Sequence, residues 1–396
     1  MFGIRKFIMT KILRITTVQE SLESLLKGQL RFFKNQGYDL SMASAITAYD
    51  RIKALEEEEG CKHYELPLTR KITPVKDLVA IWKTYTLIRK LRPTIVHTHT
   101  PKAGMVGMIA AWFARVPIRI HTVAGLPLME RKGFTKKILI GVERITYTFA
   151  TRIYPNSFGL KEYIFKNISD NSKIKVIGKG SSNGINTLNF TKSMEIIEKA
   201  RLIRAELDLK EIDYVWIFVG RVVGDKGINE LAEAFNVFQS EYPNNSLLIV
   251  GSYEKELDPL EKRTEKLLEN HKKIFHVGFQ EDIRPYLCLS NSLVFPSYRE
   301  GFPNVPMQAA CMGLSLVLSD INGCNEIIKN NVSGLLIPPK STDAIIDAMK
   351  KLYLSKEFGN QLGINAHHDV REKYDQTVVW NHILLEYKLL LQHIEK

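Results

Sequence analysis

Short β-branched and aromatic runs alternate with longer amphipathic stretches along the chain, the pattern of βαβ units that build a parallel sheet. In the first half, KILRITT (11–17), DLSMAS (39–44), TIVHTH (94–99), IRIHTV (118–123), RIYPNS (152–157) and IKVIGKG (174–180) read as strands. Helical periodicity fills the gaps, notably over 21–37 and over 73–91, the latter opening on Thr-Pro and closing before Pro93. A polar helical stretch follows residue 190. A second series then begins: YVWIFVG (214–220), SLLIVGS (246–252), IFHVGF (274–279), SLVFPS (292–297), LSLVLSD (314–320) and GLLIPP (334–339). The expected fold class is α/β, with two Rossmann-like parallel-sheet domains over 1–195 and 196–376, and a last helix in 377–396 packing across their junction. Open parallel sheets bind ligands beyond the carboxyl ends of their strands. Two such domains face to face would enclose a deep cleft.

Length agrees with this division, since 396 residues exceed one ordinary core. The 45% hydrophobic and 25% charged content is that of a soluble globular protein, and no apolar run reaches the roughly 18 residues of a membrane span. The basic, apolar start MFGIRKFIMTKILRITT lacks a long apolar region and a small-residue cleavage site, so it is read as an extended lead-in or a short membrane-touching segment rather than a signal peptide. Cys61, Cys288, Cys311 and Cys324 show no metal-type spacing and read as reduced thiols of a cytosolic protein.

Charge changes the picture more. Residues 1–200 carry 33 Lys/Arg against 16 Asp/Glu, whereas 201–396 carry 22 against 27. The basic half is expected to face an anionic partner, and with no nucleic-acid-reading module evident, an anionic membrane leads. The segment 129–149, with Arg131, Lys132, Lys136 and Lys137 leading an apolar helix, suits docking to such a leaflet. The acidic run LEEEEG (55–60) reads as a solvated helix face.

Two stretches carry chemistry. FVGRVVGDKGINELAEAF (218–235) ends a strand at Gly220 and offers Arg221, Lys226 and Gly227 before a helix, a combination suited to a diphosphate. PSYREGFPNVPMQAACMG (296–313) sets Glu300 before Gly301 and Pro303, then a helix whose first free N–H groups are expected on Phe302, Asn304 and Val305. Gln308 follows Glu300 by eight residues, about 10–12 Å along a straight helix. HTHTPKAG (97–104) adds His97 and His99, with His99 and Lys102 expected toward the cleft and His97 toward the core. His121, within HTVAG, is a further acceptor-side candidate, though a core position suits it too. Asn183 and Gly184 read as a turn.

Together, FVGR…DKG, PSYREGFPNVPMQA, SDINGCNEII (319–328) and SGLLIPP resemble the family 4 glycosyltransferases, and VHTHTPKAGMVGMIAAWFARVPIRIHTVAGLP (96–127) resembles their bacterial surface-polysaccharide branch. The resemblance implies the GT-B architecture and a retaining transferase acting on a nucleotide diphosphate donor, a UDP-sugar first among them. It implies a polyprenyl-diphosphate-linked saccharide as acceptor, in capsule or O-antigen synthesis at the cytoplasmic face of a bacterial membrane. In that family the Arg and Lys grip the donor diphosphate, giving that role to Arg221 and Lys226. The first motif Glu, here Glu300, holds the donor sugar, and the amides of Phe302, Asn304 and Val305 hold its oxygens. The second motif Glu, which holds the ribose, is replaced here by Gln308. No metal and no cofactor are expected. Two alternatives stand beside this one: a non-hydrolysing UDP-sugar epimerase of the same fold, and a non-catalytic scaffold.

Overall fold

A computed structural model describes residues 9–71, 73–129, 133–169, 172–254, 256 and 258–394. The chain divides into two compact units, 1–184 with 377–396, and 185–376. The division falls ahead of the expected 195/196. The last helix, Gln376–Ile394, lays Val379, Trp380, Ile383, Leu384 and Tyr387 into the first unit's core.

The first unit holds β1 (Lys11–Val18), β2 (Asp39–Ala45), β3 (Lys62–Glu65), β4 (Ile95–His99), β5 (Ile118–Val123) and β6 (Arg152–Pro155) in the order β3-β2-β1-β4-β5-β6, all neighbours parallel. The second holds β7 (Tyr214–Val219), β8 (Asn245–Val250), β9 (Ile274–His276), β10 (Ser292–Phe295), β11 (Ser315–Ser319) and β12 (Leu335–Ile337) in the order β12-β11-β10-β7-β8-β9, again parallel. Helices cover both faces, so the central strands are buried along their length, β7 reading YVWIFV without an exposed position. The first sheet separates two cores. Leu13, Ile15, Val96 and Tyr147 lie on one side, and Ile12, Phe33, Tyr38 and Tyr387 on the other. Trp216, Phe218, Phe235 and Met307 anchor the second unit.

Four local expectations need correction. Residues 62–65 form a strand that the pattern had not shown, because KHYE is short, polar and at the sheet edge. IKVIGKG forms only an isolated bridge from Ile174 to Ile153. The helix expected over 21–37 is two, Gln19–Leu25 and Gln29–Asn35, parted at Gly28, whose φ of 76° a side chain would resist. Glu59, the last of the acidic run, is buried: its carboxylate accepts from the N–H groups of Gly28 (2.5 Å) and Arg31 (2.9 Å) and so caps the second of these helices. The membrane-docking expectation falls partly on residues 1–8, Arg131 and Lys132, which lie outside the described residues; Lys136 and Lys137 lie on the helix Gly133–Phe149. Among the described residues, no helix is long and apolar enough to cross a membrane.

Candidate active site

In the second sheet the chain leaves the centre in opposite directions: β7 leads through β8 to β9, and β10 leads through β11 to β12. The loops after β7 and β10 therefore part, opening the crevice where such sheets bind ligands. Both chemical stretches emerge there. After β7, a single 3-10 turn, Gly224–Lys226, brings Lys226 back over the strand ends. Gly227 follows with φ 72°, and a Cβ there would lie 2.2 Å from the Pro296 carbonyl oxygen, so glycine alone lets the two loops touch.

That contact joins residues 74 positions apart. Lys226 Nζ lies 2.5 Å from Glu300 Oε1, with both side chains 14% exposed, and the ammonium also sits 5.9 Å from the Phe295 ring centre. Arg299 pairs with Asp225, and burial lowers the guanidinium's pKa. Arg221 reaches the surface with Nη1 3.4 Å from Glu254. Each of these three cations is matched by a carboxylate. The loop is fixed from behind: Asn322 Nδ2 donates to the carbonyls of Glu300 (2.9 Å) and Gly301 (3.1 Å), and the Tyr298 hydroxyl donates to Glu230 (2.6 Å). Cys324 is buried, which pushes its thiol well above the usual range, with Glu300 adding to the same direction.

The helix after this loop runs Asn304–Cys311 with Pro303 as its cap. Its first turn leaves the N–H groups of Asn304 and Val305 free of helical partners, while Pro306 has none to offer. Phe302 precedes the cap and packs on Tyr374 at 5.1 Å. Glu300 thus stands in the loop and not on the helix. The straight-helix span from Glu300 to half-buried Gln308 does not apply, because Gly301 and Pro303 turn the chain first.

The first sheet switches direction between β1 and β4. There many polar groups satisfy one another, although His99 Nδ1 has no hydrogen-bond partner among the described residues. Thr100, held at φ 75°, accepts from the Thr17 N–H (3.1 Å), and the two hydroxyls share a 2.6 Å hydrogen bond. Lys102, expected at the ligand edge, lies 2.6 Å from Asp77, both side chains nearly buried.

The three histidines divide by strand alternation. His97 and His99 are two apart, so both face the last helix and their rings stack at 4.4 Å; the expected split between core and cleft does not occur. His121 faces the other side, bonded to the Thr98 hydroxyl at 2.9 Å. His99 and His121 are both buried, on opposite faces of the sheet, so His99, Lys102 and His121 do not form one cluster. Burial holds all three imidazoles below their usual range, His121 to about 4. Beneath them Arg14, fully buried in mid-strand, donates to His99 Nε2 (3.2 Å), the Tyr387 hydroxyl (3.0 Å) and Gln29 Oε1. His97 completes the cluster through Tyr387 (2.5 Å) and Thr122 (2.7 Å). Asn183 is structural: its side-chain oxygen accepts from Gln29 (2.9 Å) and Trp380 (2.7 Å).

Two family models match the chain, glycosyl transferases group 1 over residues 199–369 and a glycosyl transferase 4-like domain over 28–180. The capsular polysaccharide biosynthesis glycosyltransferase CapM of Staphylococcus aureus is 30% identical over 386 residues, 97% of this chain and 98% of its own. The chain belongs to this glycosyltransferase family. The transferase is also 31% identical, over 72% of its length and 73% of the relative's, to an Escherichia coli UDP-Gal:alpha-D-GlcNAc-diphosphoundecaprenol alpha-1,3-galactosyltransferase. Among solved structures, Anabaena HepE in complex with UDP and glucose superposes with a TM-score of 0.79, 18% identity and coverage of 96% and 99%. A Rickettsia africae glycosyltransferase gives 0.79 at 20% identity, covering 97% and 99%. These likenesses show the GT-B fold.

Sequence reasoning missed several residues that shape the transferase's loops. Asp225, Glu254 and Asn322 were not singled out, although Asn322 stands in the quoted SDINGCNEII. Arg14 had a usable signal, the one charged residue within the buried run 12–18.

Proposed function

We propose that this transferase moves a sugar from a UDP-sugar to a polyprenyl-diphosphate-linked saccharide, with retention of anomeric configuration, in capsule or other surface-polysaccharide synthesis. The observation that carries the reading is the pairing of Lys226 with Glu300 across the second sheet's switch point, beside the free N–H groups of Asn304 and Val305. A donor diphosphate offers the ammonium a stronger anionic partner than one carboxylate. Lys226 and Arg221 would turn to the phosphate oxygens, and Glu300, released, would accept hydrogen bonds from sugar hydroxyls.

The bond from the anomeric carbon to the diphosphate breaks more easily as charge on the leaving oxygens is stabilised. Two cations and a helix N-terminus, fixed before reaction, supply that stabilisation. In this reading they do so without a metal. Gln308 would meet the ribose hydroxyls through its amide, as donor and acceptor, with weaker bonds than a carboxylate makes. The named activities of the Escherichia coli relative and of a Campylobacter jejuni N,N'-diacetylbacillosaminyl-diphospho-undecaprenol alpha-1,3-N-acetylgalactosaminyltransferase (25% identical over 322 residues) support a lipid-linked acceptor.

Incubation of the protein with UDP-sugars and an undecaprenyl-diphosphate-linked saccharide tests this, with the new linkage assigned by NMR. An elongated lipid-linked product with the donor's anomeric configuration is expected. Interconversion of free UDP-sugars without acceptor would instead identify an epimerase, and an inverted linkage would refute retention.

A further inference from the structure

The helix Pro74–Leu91 turns four large apolar side chains outward. Val75, Leu78, Val79 and Trp82 follow the i, i+3, i+4, i+7 spacing of one face and are 77%, 68%, 49% and 65% exposed. The opposite face, Asp77, Ala80, Thr84 and Ile88, is buried. The helix packs through Ala80, Thr84 and Ile88, with Ile81, Tyr85, Leu87 and Leu91 partly buried against the core, and still presents four bulky apolar side chains in its first half. Scattered apolar residues on a surface need no explanation, but four on two turns make a continuous patch.

Its position is informative. Strands of a parallel sheet end at one edge, and the helix after each strand begins there. The stripe lies in the first half of the helix after β3, hence at the carboxyl edge. Phe134, 79% exposed at the start of the helix Gly133–Phe149 after β5, lies at that edge too. Both helices cover the same face of the sheet, flanking the helix Pro101–Phe113. The charge around them is one-sided. Residues 66–129 contain ten Lys/Arg and a single acid, Asp77, which is buried and bound to Lys102. Exposed Lys76, Lys83 and Lys90, each two turns from the next, form a row beside the stripe.

We propose that this edge is a membrane-docking surface: Val75, Leu78, Val79 and Trp82 enter the headgroup–acyl boundary of an anionic bilayer while the lysine row meets its phosphates. A lipid surface matches both halves of the patch at once, apolar depth below and anionic headgroups at the rim, and suits an interfacial tryptophan. The proposal rests on the lipid-linked acceptor above in one respect: it brings the ligand-binding edge of the first sheet to the surface where such an acceptor resides.

Vesicle flotation of the full-length chain tests it, with phosphatidylcholine alone and with an equal mixture of phosphatidylcholine and phosphatidylglycerol. The wild type is expected to float with the mixed vesicles. Leu78→Gln with Trp82→Gln should lower partitioning by about tenfold or more even at high salt. Lys76→Gln, Lys83→Gln and Lys90→Gln together should lower it on the order of a hundredfold at low salt only. Thermal unfolding should be unchanged, since every substituted side chain is exposed. Partitioning equal in wild type and variants would overturn the proposal. So would concentration-dependent self-association that Trp82→Gln abolishes, because the stripe would then be a protein interface.

A parallel assay on a detergent-dispersed, short-chain prenyl-diphosphate saccharide separates the two readings. Turnover by a wild type that ignores vesicles sinks the surface alone. Stripe-dependent vesicle binding without turnover supports the surface and sinks the acceptor reading.

Discussion

The two sheets share one topology, each running outward in both directions from a central switch point, yet the chemistry at those points differs. In the second unit the switch point carries Lys226, Arg299 and Arg221, each matched to a carboxylate. In the first it carries threonines bonded to each other, above three neutral histidines and a sealed arginine. In the proposed function, the second would exchange these partners for an anionic donor. The other has turned most of its polar groups to its own structure, with His99 Nδ1 left without a hydrogen-bond partner among the described residues. Fold alone therefore says where a ligand goes, and side chains decide whether it is gripped by charge.

The sharpest way to break the comparison is Lys226→Ala. It removes the better-shielded cation of the second switch point, so kcat/KM should fall about a thousandfold with little loss of stability. Arg221→Ala, at a more exposed pair, should cost about tenfold. Steady-state kinetics with a UDP-sugar measures both, and equal losses would mean that burial does not set their weights.

The matching change in the first unit should act on stability. Arg14→Ala leaves Gln29, His99 and Tyr387 without their shared donor and should cost about 3 kcal/mol in equilibrium denaturation, with UDP binding intact. An unchanged unfolding midpoint would show that this cluster is not holding the last helix to the sheet.

Glu143 sharpens the contrast through pH. It is buried on the helix Gly133–Phe149 with Oε2 lacking a hydrogen-bond partner, and burial pushes its carboxyl up to about 7. The folded chain therefore keeps a proton that the unfolded chain releases from about pH 4.5 upward. The associated stability is full below that pH and is lost as pH rises through about 7. Glu143→Gln should raise Tm at pH 8 by on the order of 5 °C relative to its effect at pH 5. A pH-independent change in scanning calorimetry would contradict the assignment.

The smallest effect is expected from Gln308→Glu, which restores a carboxylate and should tighten UDP binding by about three- to tenfold in calorimetry. Weaker binding would mean that Gln308 does not face the ribose.

Much of this was legible in the residues. Periodicity located eleven strands that the structure contains, and the motifs marked both loops of the second switch point. What was not legible depends on distant partners. Glu59 sits in an acidic run that reads as solvated, but the N–H groups of Gly28 and Arg31 bring it inside. KHYE has no apolar alternation and is a strand because β2 pairs with it. Helix Pro74–Leu91 was evident from its start and length. Which of its apolar positions lie outward was not, since Ala80, Thr84 and Ile88 take the buried face while Val75, Leu78, Val79 and Trp82 stay exposed. The histidines failed for a simpler reason, since strand alternation puts His97 with His99, and the pairing of His121 with Thr98 puts it on the other face.

In the proposed function, the second switch point holds a nucleotide diphosphate through Lys226. Calorimetric titration with UDP, GDP and ADP, with and without EDTA, on wild type and Lys226→Ala, tests it most directly. Micromolar UDP binding that EDTA leaves unchanged and that the substitution abolishes is expected. Binding by none of the three nucleotides, or UDP binding that survives Lys226→Ala, would contradict it.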